Sequence, residues 1–344
     1  MTGARLVARC VSGLETVVTR EVLREQLGTI SHIGHREVRF SGSESAAAGL
    51  RTADDVFQVT GRIPDIGHTR DSLPELARLA AGARLREGAA GVEVSASFLG
   101  RRNFNRYDAE DVVGRALSDR LGLPYHSRRA GTAPPPGYAG WRLTMDGQEA
   151  TLMARVAGRP LHRRDYKRHA IPGTLHPPVA AAMALLAEPG PGQQVLDPCC
   201  GAGTVLIEAG RLQPQARLRG YDLDPGALAA ARANAAASGT PVAFGRGDAA
   251  RLPLPDRSVD RVLTNPPWGG QVPPGGRLSG TPGRLWAEIR RVLRPDGRAV
   301  VLIPDTAALA SAIGHGLLPA HVQHVSLSGA HPHIVLLTPA PDRL

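Results

Sequence analysis

From residue 194 onward the chain repeats one pattern: a short apolar run, a turn rich in glycine or acid, then a helical stretch. The segments are QQVLDPCCGAGTVLIEAGRL, ARLRGYDLDPGALAAARANAAASG, VAFGRGDAA and VDRVLTNPPW. Strands that alternate with helices run parallel, because each helix returns the chain to the same edge, so this half predicts an open, mostly parallel α/β sheet. The tail RLWAEIRRVLRPDGRAVVLIP reads as helix, turn and strand, and VQHVSLS with HIVLLTP as a closing antiparallel pair.

The first 160 residues follow a different rhythm. An apolar stretch from Arg5 to Cys10 predicts a strand, and Leu14, Val17, Val18, Val22, Leu23 and Leu27 recur at helical spacing. HREVRF predicts a strand at 35–40, and 45–60 reads as a helix, which makes residues 1–62 a small α+β module. A second α+β module over 63–160 has a helix near 72–81, a strand at 91–99, a helix around 108–121 and strands near 140–157. Three consecutive prolines interrupt it and predict an exposed loop at 127–140. The basic, proline-ended stretch 161–176 reads as a linker before a helix at 177–188, and 177–344 as the second domain.

Composition narrows the partners. The net charge of +10 suits a polyanion better than a small metabolite. Lys167 is the sole lysine, so genomic bias toward Arg codons accounts for the residue type, though not for the sign of the charge. Three cysteines, two of them adjacent, suggest a reducing cytoplasm rather than a disulfide framework. The opening residues lack the apolar core of a signal peptide, and no apolar run reaches the ~18 residues of a membrane span. The histidines show no metal-ligand spacing, so no metal is expected.

Four strand ends carry the candidate chemistry. QQVLD delivers Asp197 and Pro198 to a turn in which Gly201 and Gly203 allow close backbone approach just before a helix opening at Thr204. A dinucleotide fingerprint would place another glycine where Leu206 stands. Asp222, followed by Leu223, sits where a strand-end carboxylate accepts from ribose hydroxyls, whereas Asp224-Pro225 reads as a helix cap. Asp248, with Ala249, is placed to accept from an adenine amino group; alone it would be a solvated loop acid. The tetrad Asn265-Pro266-Pro267-Trp268 ends the fourth strand. An aromatic or amide nitrogen is a poor nucleophile because its lone pair is delocalised. The Asn265 side-chain oxygen and the Pro266 carbonyl would hold its two hydrogens, and Trp268 would offer a face for stacking an extruded base. An isolated tetrad of this kind would be a plain turn with a buried Trp, but here it is the fourth of four ordered elements.

Together DPCCGAGT, YDLD, GDA and NPPW resemble the first four motifs of class I methyltransferases. The whole chain is similar to the bacterial and archaeal THUMP-domain tRNA guanine-N2 methyltransferases: LHRRDYKR resembles their Leu-x-Arg-Arg-x-Tyr junction, and ARCVSGLETVVTREV their ferredoxin-like start. The resemblance implies a Rossmann-like class I domain preceded by ferredoxin-like and THUMP modules. It also implies S-adenosylmethionine as cofactor, held by Asp197, Pro198, Gly201, Gly203, Thr204, Asp222, Leu223, Asp248, Ala249 and Asn265. Catalysis would fall to Asn265, Pro266, Pro267 and Trp268, acting on guanine N2 in tRNA, with a monomer as the expected state. Three departures stand out: Trp268 where tyrosine is common, His176 where the family has a basic start to its first catalytic helix, and the 127–140 loop.

Arg155, Arg159, Arg163, Arg164, Lys167 and Arg168 form one candidate phosphate-binding stripe, and Arg101, Arg102 and Arg106 a second, with a solvated charged face as the competing reading. Tyr166 and Phe104 lie among them as stacking or core residues. The tetrad reads an amino group rather than one base. Ribosomal RNA guanine, adenine, a protein glutamine amide and a non-catalytic RNA-binding role therefore remain as alternatives.

Overall fold

A computed structural model describes residues 3–84, 87–269, 272–327 and 329–341. The chain forms two compact units: residues up to 9 with 22–50 and 54–161, and residues 10–21 and 51–53 with 162 onward. In chain order the elements before residue 160 are β1 (Ala4–Arg9), α1 (Glu15–Arg24), β2 (Gly28–Gly34), β3 (Glu37–Gly42), α2 (Glu44–Ala47) and β4 (Asp55–Pro64). A 3₁₀ segment (Arg70–Gly82) follows, then β5 (Gly91–Phe98), α3 (Arg106–Leu121), β6 (Tyr125–His126), β7 (Tyr138–Met145) and β8 (Glu149–Arg155).

The first unit is built on a single sheet in the order β2-β3-β1-β4-β8-β7-β5-β6. Strand β4 crosses the expected module boundary at residue 62 and pairs with both β1 and β8. Here the sequence expectation of a helix over 45–60 is corrected. Only Glu44–Ala47 is helical, and Val56, Phe57 and Val59 are buried in a strand, where β-branched and aromatic side chains pack well on a pleated surface. The helix expected near 72–81 is a 3₁₀ segment with Pro74 inside it, a residue that cannot donate to an α-helical ladder. Helix α3 opens on a capping box in which Asn105 and Asp108 satisfy each other's backbone, and it closes on Gly122 in the left-handed region. Around 127–140, Arg129 pairs with Asp108 and Asp111, while Pro135, Pro136 and Gly137 are exposed.

The second unit contains α4 (Pro177–Ala187), β9 (Gln194–Asp197), α5 (Thr204–Leu212), β10 (Arg217–Asp222), α6 (Pro225–Ser238), β11 (Val242–Arg246), β12 (Val259–Thr264), α7 (Arg284–Val292), β13 (Leu293–Ile303), α8 (Thr306–Gly314), β14 (Leu317–His324) and β15 (His333–Pro339). Its sheet runs β11-β10-β9-β12-β13-β15-β14. The first five strands run parallel, and β15 runs against them, pairing antiparallel with β13 on one side and β14 on the other, so the tail forms the antiparallel pair the sequence predicts. Asp224 caps α6 by accepting from Gly226 and Ala227 N–H, with Pro225 next. Strand order reverses between β9 and β12, and a crevice opens at the carboxyl ends of the strands at such a reversal. No helix among the described residues is long and apolar enough to cross a membrane.

One buried ionic knot belongs to this unit. Glu208 of α5 accepts from Arg164 Nε at 3.0 Å and Tyr166 hydroxyl at 2.7 Å through one oxygen, and from Arg51 Nε at 2.6 Å through the other. Residues 10–21, expected within the N-terminal module, cluster here as well: Glu21 accepts from Arg51 and Thr52 N–H, and Gln323 donates to the Gly13 carbonyl. Removing one member of a buried pair strands the other charge. Glu208→Ala is therefore expected to destabilise the fold by about 3–5 kcal/mol, read as a large fall in Tm; a loss below about 1 kcal/mol would contradict the knot's role.

Candidate active site at the sheet's switch point

Strands β9 and β12 are parallel neighbours, with Val262 opposite Leu196 and Arg261 opposite Val195. That register brings their carboxyl ends side by side, so the glycine turn after Asp197 and the tetrad after Thr264 emerge at one edge. The two features that the sequence separates by more than sixty residues share one crevice.

The turn is tightly specified. Gly201 N–H donates to Asp222 Oδ2 at 2.9 Å, Cys200 N–H to the Tyr221 carbonyl at 2.9 Å, and Gly203 N–H to the Cys200 carbonyl at 2.8 Å. Gly201 and Gly203 have φ of +50° and +80°, a region costly for any residue with a Cβ. Their surroundings differ. A Cβ on Gly203 would press on Phe244 at 3.2 Å and Ala231 at 3.3 Å, so this glycine serves helix packing. Over Gly201 only Ile171 Cδ1 lies near, at 3.9 Å, which leaves space for a ligand. Thr204 opens α5 with a buried hydroxyl that has no hydrogen-bond partner among the described residues.

The acids ring this turn. Asp197 is buried, accepts from Cys199 N–H at 3.0 Å, and has the buried Thr264 hydroxyl beside it without a full hydrogen bond. Burial, with a smaller contribution from the Asp222 charge, pushes its carboxyl up to about 7. Asp222 is half-buried and ties the turn to the next helix, accepting from Asp224 N–H at 3.0 Å as well as from Gly201. Asp248 accepts from Ala250 N–H at 3.0 Å and Arg277 N–H at 3.1 Å, and Leu223 packs beneath Gly275 and Gly276. Pro198 and Ala249 are buried beside them. Burial raises the Cys199 and Cys200 thiols, so both stay protonated as small turn residues.

At the tetrad, Asn265 is half-buried and its Nδ2 donates to the Gly173 carbonyl at 3.2 Å. A carbonyl only accepts, so the amide nitrogen faces Gly173 and Oδ1 faces away. Pro266 is buried and Pro267 half-buried. Trp268 Nε1 donates to the Leu302 carbonyl at 2.8 Å, and its ring lies 5.9 Å from Trp286 at 32°, so part of the indole belongs to the core.

Two residues unseen in the sequence complete the site. Asn234, in an alanine-rich helix, is fully buried: its Oδ1 accepts from Arg168 and His169 N–H, and its Nδ2 donates to the His169 and Ala202 carbonyls. It fastens the basic linker to the glycine turn. Gly173 does the same at the tetrad. An asparagine on the core face of ARANAAAS was the available signal for the first; nothing local marked the second.

The arginine stripes need correction. Arg102 is 1% exposed in a bidentate pair with Asp65, Arg155 pairs with Asp55 and Glu93, and Arg164 is held by Glu208. Partners distant in sequence sequester these three. Arg101, Arg106, Arg159, Arg163 and Arg168 remain exposed, while Lys167 is half-buried, donating to the Leu175 carbonyl at 3.2 Å. Tyr166 and Phe104 are core residues. A cavity of about 430 Å³ lined by Gln194, Arg219, Arg257, Val259 and Arg294 lies at the opposite ends of β9, β12 and β13 and takes no part in this site.

A family model described as "RMKL-like, methyltransferase domain" matches residues 164–332. The tRNA (guanine(6)-N2)-methyltransferase of Thermus thermophilus is 32% identical over 338 residues, 94% of this chain and 96% of that protein. The chain belongs to the RMKL-like methyltransferase family. The crystal structure of TrmN from Thermus thermophilus superposes with a TM-score of 0.81 at 31% identity, covering 97% of this chain and 99% of that one. SMU.472, a putative methyltransferase solved with S-adenosylhomocysteine, shares the fold over both full chains with a TM-score of 0.74 at 18% identity.

The protein is an S-adenosylmethionine-dependent methyltransferase, and its crevice fits that group. The space over Gly201, the orphaned Thr204 hydroxyl and the acids that follow β9, β10 and β11 supply apolar and polar contacts where a nucleoside and a thioether chain would lie.

The raised Asp197 carboxyl sets a pH signature. From the ordinary value of 3.8 up to about 7 the unfolded chain ionises this group while the folded chain keeps it protonated. Stability contributed below pH 4 is thus lost as pH rises toward 7. Asp197→Asn is expected to remove that slope, so the variant should gain Tm relative to the parent between pH 4 and 7. Parallel curves across that window would contradict the assignment.

Proposed function

We propose that the protein methylates the exocyclic N2 of a guanosine in tRNA, within the acceptor stem, by direct transfer to a flipped-out base. The juxtaposition of the Gly201 turn and the Asn265 tetrad on neighbouring parallel strands carries this reading, because one crevice then holds the methyl donor beside two acceptors for amino hydrogens. The substrate follows from the near full-length Thermus relative, whose name specifies guanine N2 of tRNA.

Bound at the Gly201 turn, S-adenosylmethionine supplies an electrophilic methyl group on sulfur. The turn, Asp222 and Asp248 hold that cofactor, with Asp197, Pro198, Gly203, Thr204, Leu223 and Ala249 shaping the turn around it. Asn265 Oδ1 and the Pro266 carbonyl accept the two N2 hydrogens, which rotates the nitrogen lone pair out of conjugation and toward the methyl. As the N–CH₃ bond forms and the S–CH₃ bond breaks, the nitrogen becomes positive and the same oxygens stabilise that charge; the methylated nitrogen then releases one of its two protons to solvent. Pro267 stiffens the backbone, and the exposed part of Trp268 stacks on the base.

Residues 63–160 act as the RNA-gripping module, and Arg101, Arg106, Arg159, Arg163 and Arg168 contact phosphates without reading sequence. Asn265→Ala is expected to lower kcat by about 10²–10³ while leaving RNA affinity nearly unchanged. In cells, tRNA nucleosides from a deletion strain should lose N2-methylguanosine relative to the parent. A loss confined to ribosomal RNA would overturn the choice of substrate.

A further inference from the structure

An asparagine acts as an acceptor only while its amide faces the right way. A half-turn of the side chain replaces the carbonyl with an NH₂ that repels the substrate's own hydrogens. The short turn Ile171–Thr174 decides which way Asn265 faces. Thr174 N–H donates to the Ile171 carbonyl at 3.0 Å, the Ile171 N–H donates to Thr174 Oγ1 at 2.9 Å, and that hydroxyl donates to the Ile171 carbonyl at 2.6 Å. Gly173 sits inside with φ of +75°, and a Cβ there would fall 2.8 Å from Val272 Cγ2. Backbone in that region is held by glycine at little cost, and here it directs the carbonyl at Asn265 Nδ2, 3.2 Å away. The same turn places Ile171 over Gly201, and Asn234 anchors the chain just upstream at Arg168 and His169. The carbonyl is therefore presented from a segment anchored just upstream by Asn234 and packed against the Gly201 turn.

We infer that Thr174 and Gly173 are positioning residues: the hydroxyl-closed turn presents a carbonyl that only an N–H can meet, and so fixes Asn265 Oδ1 toward the amino group being methylated. This rests on the reading of Asn265 as the amino-hydrogen acceptor. Neither residue touches the reacting atoms.

Thr174→Val keeps the side-chain shape and removes both hydroxyl bonds. Its kcat should fall roughly tenfold or more, the scale of a slightly misaimed group. The Kd for S-adenosylmethionine by calorimetry, the Kd for undermodified tRNA and Tm should stay close to the parent's. Thr174→Ser should restore turnover. Independently of activity, the Asn265 side-chain NH₂ resonances, assigned by their absence in Asn265→Ala, should exchange faster with solvent in Thr174→Val. The double variant Asn265→Ala/Thr174→Val should be no slower than Asn265→Ala alone, because the turn acts through that side chain.

If Thr174→Val turns over at the parent's rate while Asn265→Ala is inactive, the positioning inference fails and the reading of Asn265 stands. If Asn265→Ala itself keeps the parent's turnover, the underlying reading fails. Equal weakening of cofactor affinity and kcat would make the turn a support for cofactor binding and overturn its role in aiming Asn265. Should Thr174→Val fold poorly, Gly173→Ala, which strains the carbonyl's backbone, is expected to give the same kcat loss with cofactor affinity kept; retained kcat there would equally overturn the inference.

Discussion

The site depends on the parallel pairing of β9 with β12. Parallel neighbours end at the same edge, so the hydrogen bonds that align Val262 with Leu196 also bring the glycine turn and the asparagine tetrad into one crevice. Chemistry at an unreactive amine needs the methyl donor and the amine held in line, and in the proposed reading the sheet sets the two loops that would hold them side by side. The surrounding helices serve this pairing: α5 packs closely enough to require Gly203, and α6 carries Asn234 into the junction between turn and linker.

Polar groups in the core divide into two kinds. Glu208 with Arg51, Arg164 and Tyr166 is an ionic knot in which both carboxylate oxygens accept hydrogen bonds and removing one member would be costly. Asp197 and Thr204, beside the glycine turn, are less fully served: one is a buried carboxyl whose pKa burial raises, the other a hydroxyl with no hydrogen-bond partner among the described residues. The Thr204 hydroxyl stands at the strand reversal, where open parallel sheets bind their ligands.

Much of the catalytic unit is legible in the sequence because its signals are local. The period of strand, turn and helix, the cap at Asp224-Pro225 and the four strand-end motifs each lie within a few residues of one another. What the sequence conceals is set by partners far along the chain. Arg102, Arg155 and Arg164 look like phosphate ligands until Asp65, Asp55 and Glu208 fold beside them. Strand β4 looks helical until β1 and β8 flank it. The Gly173 carbonyl carries no side-chain signature at all, so its contact with Asn265 emerges only from the fold.

The central claim is that two fixed oxygens grip the hydrogens of an exocyclic amino group and thereby make its nitrogen nucleophilic. Methyl transfer to a tRNA transcript whose target guanosine is replaced by inosine, which lacks that amino group and keeps the rest of the base, tests it directly. The account predicts near-normal binding of this RNA and no methyl incorporation by mass spectrometry; methylation at the parent's rate would contradict it.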